Sequence, residues 1–294
     1  MGDERVMAAK LPIVRTTREL RSTVQRWRAR GLSVAMVPTM GSLHAGHISL
    51  VQLARKRAKR TVVSIFVNPT QFGPNEDFSA YPRDEQGDWL KLAGARTDLV
   101  YAPAVSEIYP DDFSTRVEVI GLTSGLEGAS RPRHFAGVTT VVTKLFLQCL
   151  PDIAVFGEKD YQQLLVIRQL VKDLDMPIEV VGGPTTREPD GLAMSSRNAY
   201  LDPSARALAP RFHAVLDEVS RDLSQGRPVH EATYLGRDWL EGAGIKVDYL
   251  EVRDAANLTP VTELVTAPSR VLGAVYLGHI RLIDNVAVEP VAGR

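Results

Sequence analysis

Two histidines three residues apart stand in the run Met40-Gly41-Ser42-Leu43-His44-Ala45-Gly46-His47, just after an apolar segment that ends at Pro38. If a helix starts here, that spacing puts both imidazoles on one face, beside its first unpaired N–H groups and the positive end of its dipole. Such a geometry suits a polyphosphate. Gly41 permits a tight turn, and Gly46 leaves room for a flat purine to approach the backbone. Neither the glycine pattern of dinucleotide-binding folds nor the Walker sequence occurs at this position. Zinc sites also use paired histidines, yet no third His, Cys or carboxylate accompanies these at motif spacing. The plainer alternative is one capping and one packed histidine.

Three further groups carry chemistry. Asn68 and Gln71 follow the apolar run Thr61 to Val67, and neutral amides both donate and accept, so they suit a hydroxy acid or an ordinary loop. Gly157-Glu158-Lys159-Asp160 follows Asp152 to Phe156 and leads into Tyr161-Gln162-Gln163. There Lys159 supplies a point charge for phosphate, Asp160 binds ribose hydroxyls or caps a helix, and Gln163 contacts substrate. Met194-Ser195-Ser196-Arg197 combines two hydroxyls with a guanidinium, which makes either a phosphate clamp or merely a turn.

The elements that must position these residues follow from the apolar pattern. Ser33 to Pro38, Thr61 to Val67, Thr97 to Tyr101, Asp152 to Phe156 and Pro177 to Val181 have the length and boundaries of buried strands. Gly46 to Arg60, Arg83 to Leu92, Ala136 to Gln148 and Tyr161 to Leu174 have helical spacing, as in Leu164, Ile167 and Val171. Alternation of strand and helix predicts a Rossmann-like doubly wound parallel α/β sheet, with ligands at the carboxyl ends of its strands. After Gly182-Gly183-Pro184 the pattern changes. Helices over Ser204 to Ser224 and Pro228 to Leu240, then strands over Lys246 to Val252 and Val271 to Leu277, predict a smaller α+β unit. The expected division is residues 1–184, binding nucleotide and acid, and residues 185–294, closing over the nucleotide. Gly73 to Tyr81 is rich in turn formers and reads as a lid.

Composition excludes several classes. The 294 residues, 44% hydrophobic and 24% charged, are those of a globular chain, and 35 basic residues balance 35 acidic ones. No global field draws such a chain to nucleic acid or an anionic membrane, so an anion needs a local site. Arg55 to Arg60, basic at five of six positions, reads as a solvated helix end. The amino terminus lacks the apolar core of a signal peptide, no segment reaches the length of a spanning helix, and the single cysteine, Cys149, reads as buried packing. A cytoplasmic location is expected.

The segment Met40 to His47 resembles the HxGH signature of the nucleotidylyl-transferase superfamily, and Met194 to Arg197 is similar to the KMSKS loop of class I aminoacyl-tRNA synthetases. More specifically, FVNPTQFGPNEDFSAYPR from Phe66, HFAGVTTVVTKLF from His134, FGEKDYQQLLVIRQLV from Phe156 and REPDGLAMSSRNAYL from Arg187 resemble the pantothenate synthetase (pantoate–β-alanine ligase) family. The likeness continues through Asp248 to Asp254 and Arg281 to Asn285.

This resemblance implies an ATP-dependent ligase that joins (R)-pantoate to β-alanine through a pantoyl adenylate, releasing AMP and pyrophosphate, with Mg²⁺ as cofactor and a homodimeric assembly. It implies that Met40, Gly41, Ser42, Leu43, His44, Ala45, Gly46 and His47 line ATP, with His47 the proton donor. Gly157, Glu158, Lys159, Asp160, Thr186, Met194, Ser195, Ser196 and Arg197 would also hold the nucleotide. Thr186 stands where the family has Val, at a main-chain contact. His44, His47, Lys159, Ser195, Ser196 and Arg197 would stabilise charge on the phosphates, which itself favours a protonated His47. Gln71 would bind pantoate and β-alanine, and Gln163 pantoate; Arg131 and His134 receive no role. The rival readings are another HxGH transferase with a different acceptor and a noncatalytic nucleotide sensor.

Overall fold

The computed structural model describes residues 11–74, 76 and 78–290. The amino-terminal residues read above for a signal peptide, and positions 75 and 77 of the expected lid, lie outside the described residues.

The chain begins with β1 (Ile13–Val14), α1 (Thr17–Arg28), β2 (Val34–Thr39), α2 (Ala45–Arg57), β3 (Arg60–Ile65), α3 (Glu85–Gly94) and β4 (Leu99–Tyr101). Two single turns, α4 (Val105–Ile108) and α5 (Glu127–Ser130), lead to α6 (His134–Cys149), β5 (Ile153–Gly157), α7 (Tyr161–Asp173) and β6 (Glu179–Gly183). The strands make one parallel sheet in the order β1-β4-β3-β2-β5-β6. Strand alternation explains why both of its faces are covered. Val34 and Met36 of β2 face a core containing Leu20 of α1, Phe146 of α6 and Ile167 of α7, whereas Ala35 and Val37 face Val51 of α2 and Leu92 of α3. Successive strands step outward from β2 through β3 to β4, and the chain then returns to pair β5 with β2 on its other side. The switch point between β2 and β5 is where a doubly wound sheet opens a crevice.

The remainder comprises α8 (Pro203–Leu208), α9 (Pro210–Ser224), α10 (Val229–Gly242), β7 (Lys246–Asp254), β8 (Ser269–Leu277) and β9 (Ile280–Val288). Its three strands form an antiparallel sheet with its own apolar core, in which Phe212, Leu216 and Leu240 pack on Val271 and Val275. The α/β and α+β expectation therefore holds.

Several boundaries differ from the sequence reading. The helix expected from Ser204 to Ser224 is two helices, because Pro210 has no N–H to continue α8 and instead starts α9. The helix expected to reach Arg60 ends at Arg57, since Ala58 is extended and Arg60 opens β3. Arg55, Lys56 and Arg57 occupy the last turn of α2, the solvated helix end expected for them. α1, β1 and β9 were not anticipated. Cys149 is buried as expected, and burial pushes its thiol up to about 12. Among the described residues no helix is long and apolar enough to cross a membrane.

Candidate active site

A cleft of about 940 Å³ opens at the carboxyl ends of β2 and β5 and runs beneath β9. Its first wall starts where β2 ends. Gly41 (φ +80°) and Ser42 (φ +50°) turn the chain into α2, both in the left-handed region that costs glycine least. The turn is held from behind by Asp88 of α3, whose buried carboxylate accepts from the N–H groups of Ser42 at 2.8 Å and Leu43 at 2.7 Å. Burial pushes the Asp88 carboxyl above its usual range, against those two hydrogen bonds. Nothing in the sequence pattern marks Asp88, which lies 46 positions from Ser42.

The two histidines cap α2 reciprocally. His44 is its N-cap, and its Nδ1 accepts from Gly46 N–H at 3.2 Å, while Nδ1 of His47 accepts from His44 N–H at 3.3 Å. Their rings lie 4.1 Å apart. A ring that accepts at Nδ1 carries its proton on Nε2, so both are neutral donors toward the cleft. Burial, and then the charge of Lys159, pushes His44 down to about 4; burial, His44 and Lys159 push His47 down to about 3. Protonating His47 on Nδ1 would end its helix cap, so the neutral Nε2–H is the donor form this geometry supports. Gly46 serves the same arrangement. A Cβ there would meet the His44 ring at 2.9 Å, so glycine at this position lets the capping imidazole lie over the first turn.

The opposite wall comes from β5 and the second sheet. Lys159 lies in the single turn between β5 and α7, 3.7 Å from Asp160. Asn285 of β9 fixes this turn by donating to the carbonyls of Glu158 at 3.0 Å and Lys159 at 2.9 Å. Asp160 precedes α7 without making a side-chain cap, so that alternative is not realised. The serine-arginine segment hangs on a short hairpin, in which Met194 N–H donates to Thr186 at 3.0 Å and Arg187 bridges to Ala193. Arg187 pairs with the buried Asp284 of β9 at 2.6 Å. Thr186 reaches α2 through Ser49, Oγ1 to Oγ at 3.0 Å. Adjacent residues of β9 thus anchor both the Lys159 turn and the serine-arginine hairpin, a linkage between positions more than 90 residues apart that no local pattern marks.

The inner end of the cleft is an amide and ion-pair network. Asn68 Nδ2 donates to Gln71 Oε1 at 3.0 Å and to the Gly137 carbonyl at 3.1 Å. Gln163 lies in the first turn of α7 and lines the cleft. Arg281 of β9 holds both oxygens of buried Glu127 at 2.7 Å, and it also binds Asp248.

The cleft gathers Met40, His44, Gly46, His47, Gln71, Gly157, Lys159, Asp160, Gln163, Thr186, Met194, Ser195, Ser196 and Arg197. Gly41, Ser42, Leu43, Ala45 and Glu158 do not line it. The first three form the turn behind the wall, Ala45 is exposed, and Glu158 is drawn 3.3 Å from Arg270.

A helix cap of two imidazole donors at the switch point of a parallel sheet, faced by a lysine and a serine-arginine hairpin, defines a nucleotide-binding α/β enzyme of the nucleotidylyl-transferase kind. The sequence matches the family described as Pantoate-beta-alanine ligase over residues 12–287. The pantothenate synthetase of Rhodospirillum rubrum is 56% identical over 279 residues, which are 95% of this chain and 99% of the relative. The crystal structure of pantothenate synthetase from Thermus thermophilus has a TM-score of 0.90 and 47% identity, covering 95% of this chain and 100% of that one. The pantoate-beta-alanine ligase from Francisella tularensis, complexed with beta-gamma ATP and beta-alanine, has a TM-score of 0.79 and 35% identity, covering 94% and 97%. The chain belongs to the pantoate-beta-alanine ligase family.

Proposed function

We propose that the cleft holds ATP along the β2/β5 edge and carries out its family's ligation there in two steps. The reaction joins (R)-pantoate to β-alanine, with ATP as co-substrate, and yields pantothenate, AMP and pyrophosphate. In the first step the pantoate carboxylate attacks the α-phosphorus; a phosphorus–oxygen bond forms and the bond to the bridging oxygen of pyrophosphate breaks. In the second, the β-alanine amine attacks the acyl carbon, the carbon–nitrogen bond forms, and AMP leaves with the electrons of the carbon–oxygen bond.

The observation that carries this reading is the convergence of His44, His47, Lys159 and Ser195 to Arg197 on one cleft. Charge grows on the α-phosphate and the departing pyrophosphate, and preorganised donors aimed at it act without reorganising. His47 donates through Nε2–H, Lys159 and Arg197 supply charge, and the two serine hydroxyls donate. Gln71 and Gln163 hold pantoate through neutral amides, which leave its carboxylate nucleophilic, and Gln71 also meets β-alanine. The unit from residue 185 closes over the nucleotide, a role supported by the grip of Asn285 on the Lys159 turn.

Among the described residues no group of three or more His, Cys, Asp or Glu is placed to cage a metal. Mg²⁺ fits such a site, because it keeps most of its waters and is bound by substrate phosphates with one or two carboxylates. Asp160, half exposed at the phosphate edge, is the carboxylate in position. When bound, the ion neutralises phosphate charge. The resemblance also supports a cytosolic homodimer, for which light scattering is the measurement of mass.

AMP release from the purified chain is expected to require pantoate and β-alanine together. Release with another acid–amine pair alone, or nucleotide binding without turnover, would favour the transferase or sensor reading.

A further inference from the structure

We propose that Arg131 is the receptor for the carboxylate of β-alanine, and that the Glu76 side chain occupies its seat in the ligand-free chain. This rests on the ligase reading above. β-Alanine reacts through its amine but carries a carboxylate two methylenes away, roughly 4 Å at ordinary bond lengths. To present the amine to an acyl adenylate beside Gln71, the cleft must hold that carboxylate within the same reach and away from the phosphates.

Four cations line the cleft: Lys159, Arg197, Arg281 and Arg131. Lys159 and Arg197 stand at the phosphate end. Arg281 is gripped from both sides, by Glu127 at 2.7 Å and Asp248 at 2.7 Å, and Glu127 is buried. Arg131 stands 3.8 Å from the same Glu127 but makes its two-point contact with Glu76, and it differs in its place. Its Nη2 donates to the Gln71 carbonyl at 3.3 Å, which puts the guanidinium next to the residue that meets β-alanine.

His134 sets its orientation. The Nδ1 of His134 lies 3.0 Å from the same Gln71 carbonyl and must donate to it, so Nε2 accepts from Arg131 Nη1 at 3.4 Å. Burial, and then the charge of Arg131, keeps His134 neutral by pushing it down to about 4. The remaining edge of the guanidinium makes a two-point contact with Glu76, in which Nε donates to Oε1 at 2.8 Å. A carboxylate gripped at two points by arginine is the arrangement that recognises a substrate carboxylate. Glu76 comes from the segment after Gln71, its side chain is 27% exposed, and the sheet does not hold it, whereas the Glu127 side chain is 8% exposed. Of the two carboxylates near Arg131, Glu76 is the one a ligand can replace.

Arg131→Gln is expected to raise the KM for β-alanine about a hundredfold. Pantoate-dependent ATP–pyrophosphate exchange, which needs no β-alanine, should be largely retained in that variant. Preference for β-alanine over propylamine, the same amine without the carboxylate, should fall by a similar factor. Glu76→Gln should lower the KM for β-alanine severalfold by removing the competing carboxylate. Parallel loss of exchange and ligation in Arg131→Gln, preserved discrimination against propylamine, or an unchanged or raised KM in Glu76→Gln would overturn the assignment. Absence of exchange in the unmodified chain would sink the ligase reading, and the subsite with it.

Discussion

The two ends of the cleft are built on opposite electrostatic plans. At the end proposed above to take the phosphates, hereafter the phosphate end, two neutral imidazoles, a lysine and a serine-arginine hairpin line the cleft, with Asp160 3.7 Å from Lys159. At the inner end each arginine is already met by carboxylates, Arg281 by Glu127 and Asp248 and Arg131 by Glu76. The first end presents donors to the cleft. The second is complete in the empty protein, and its ion pairs tie β7 and β9 to the α5 turn. Damage at the first end should therefore cost rate, and damage to the buried Arg281 pair at the second should cost the fold.

Arg281→Gln tests the second half of this contrast and carries the largest expected effect. Removing Arg281 leaves buried Glu127 with only the Tyr249 hydroxyl at 2.9 Å and Arg131 at 3.8 Å, and loss of one partner of a buried pair costs about 3–5 kcal/mol. A large drop in the urea midpoint is expected, with ATP affinity preserved in the fraction that folds. A midpoint within experimental scatter of the unmodified chain would show that the inner network is not structural.

His47→Ala tests the first half. Loss of one preorganised donor costs on the order of a hundredfold or more in the chemical step. His47 also accepts the His44 N–H, so alanine removes a cap as well. His47→Gln separates the two contributions, because Gln at that helix position completes a capping box while lacking the ring donor. The expected result is restored thermal stability with pyrophosphate exchange still depressed about a hundredfold. Recovery of both in His47→Gln would make the histidine a cap and nothing more.

The contrast also explains what could be read from sequence. The phosphate end is made of contiguous runs that follow strand ends, so their spacing and the turn glycines placed them without coordinates. The inner network is assembled from residues far apart. Glu127 meets Arg281 across 154 positions, and neither run has a period or a turn signal that implies the pairing. β9 escaped notice for the same reason. Arg281, Asp284 and Asn285 interrupt its apolar alternation, and each is polar because it holds a cleft element: Arg281 the α5 turn, Asp284 the Arg187 hairpin and Asn285 the Lys159 turn. β1 has only two residues and exists through pairing with β4, which no local pattern reveals. α1, by contrast, carries a local signal, the capping box that Thr16 and Glu19 form at its start.

One further expected effect is shared by both ends. His44, His47 and His134 are held neutral chiefly by burial, at about 4, 3 and 4, well below an exposed imidazole. In the unfolded chain each takes up a proton as pH falls through about 6.5, while the folded chain does not. The unfolded state then binds more protons, so stability must decline on acidification and rise on return to neutrality. The window is set by these values: full stability above about 6.5, and progressive loss toward 4. Glu127, whose carboxyl burial raises but Arg281 holds below its usual range, adds its own loss only at the acid end. The urea midpoint should therefore fall steadily from about pH 6.5 to about 4.5, and His134→Gln should flatten that slope by removing one of the three protons. Because His134 contacts the inner end and the other two the phosphate end, a nonhydrolysable ATP analogue should change the acid slope through His44 and His47 alone. If the analogue abolished the part of the slope that His134→Gln removes, the two ends would be one electrostatic unit and the contrast drawn between them would be wrong.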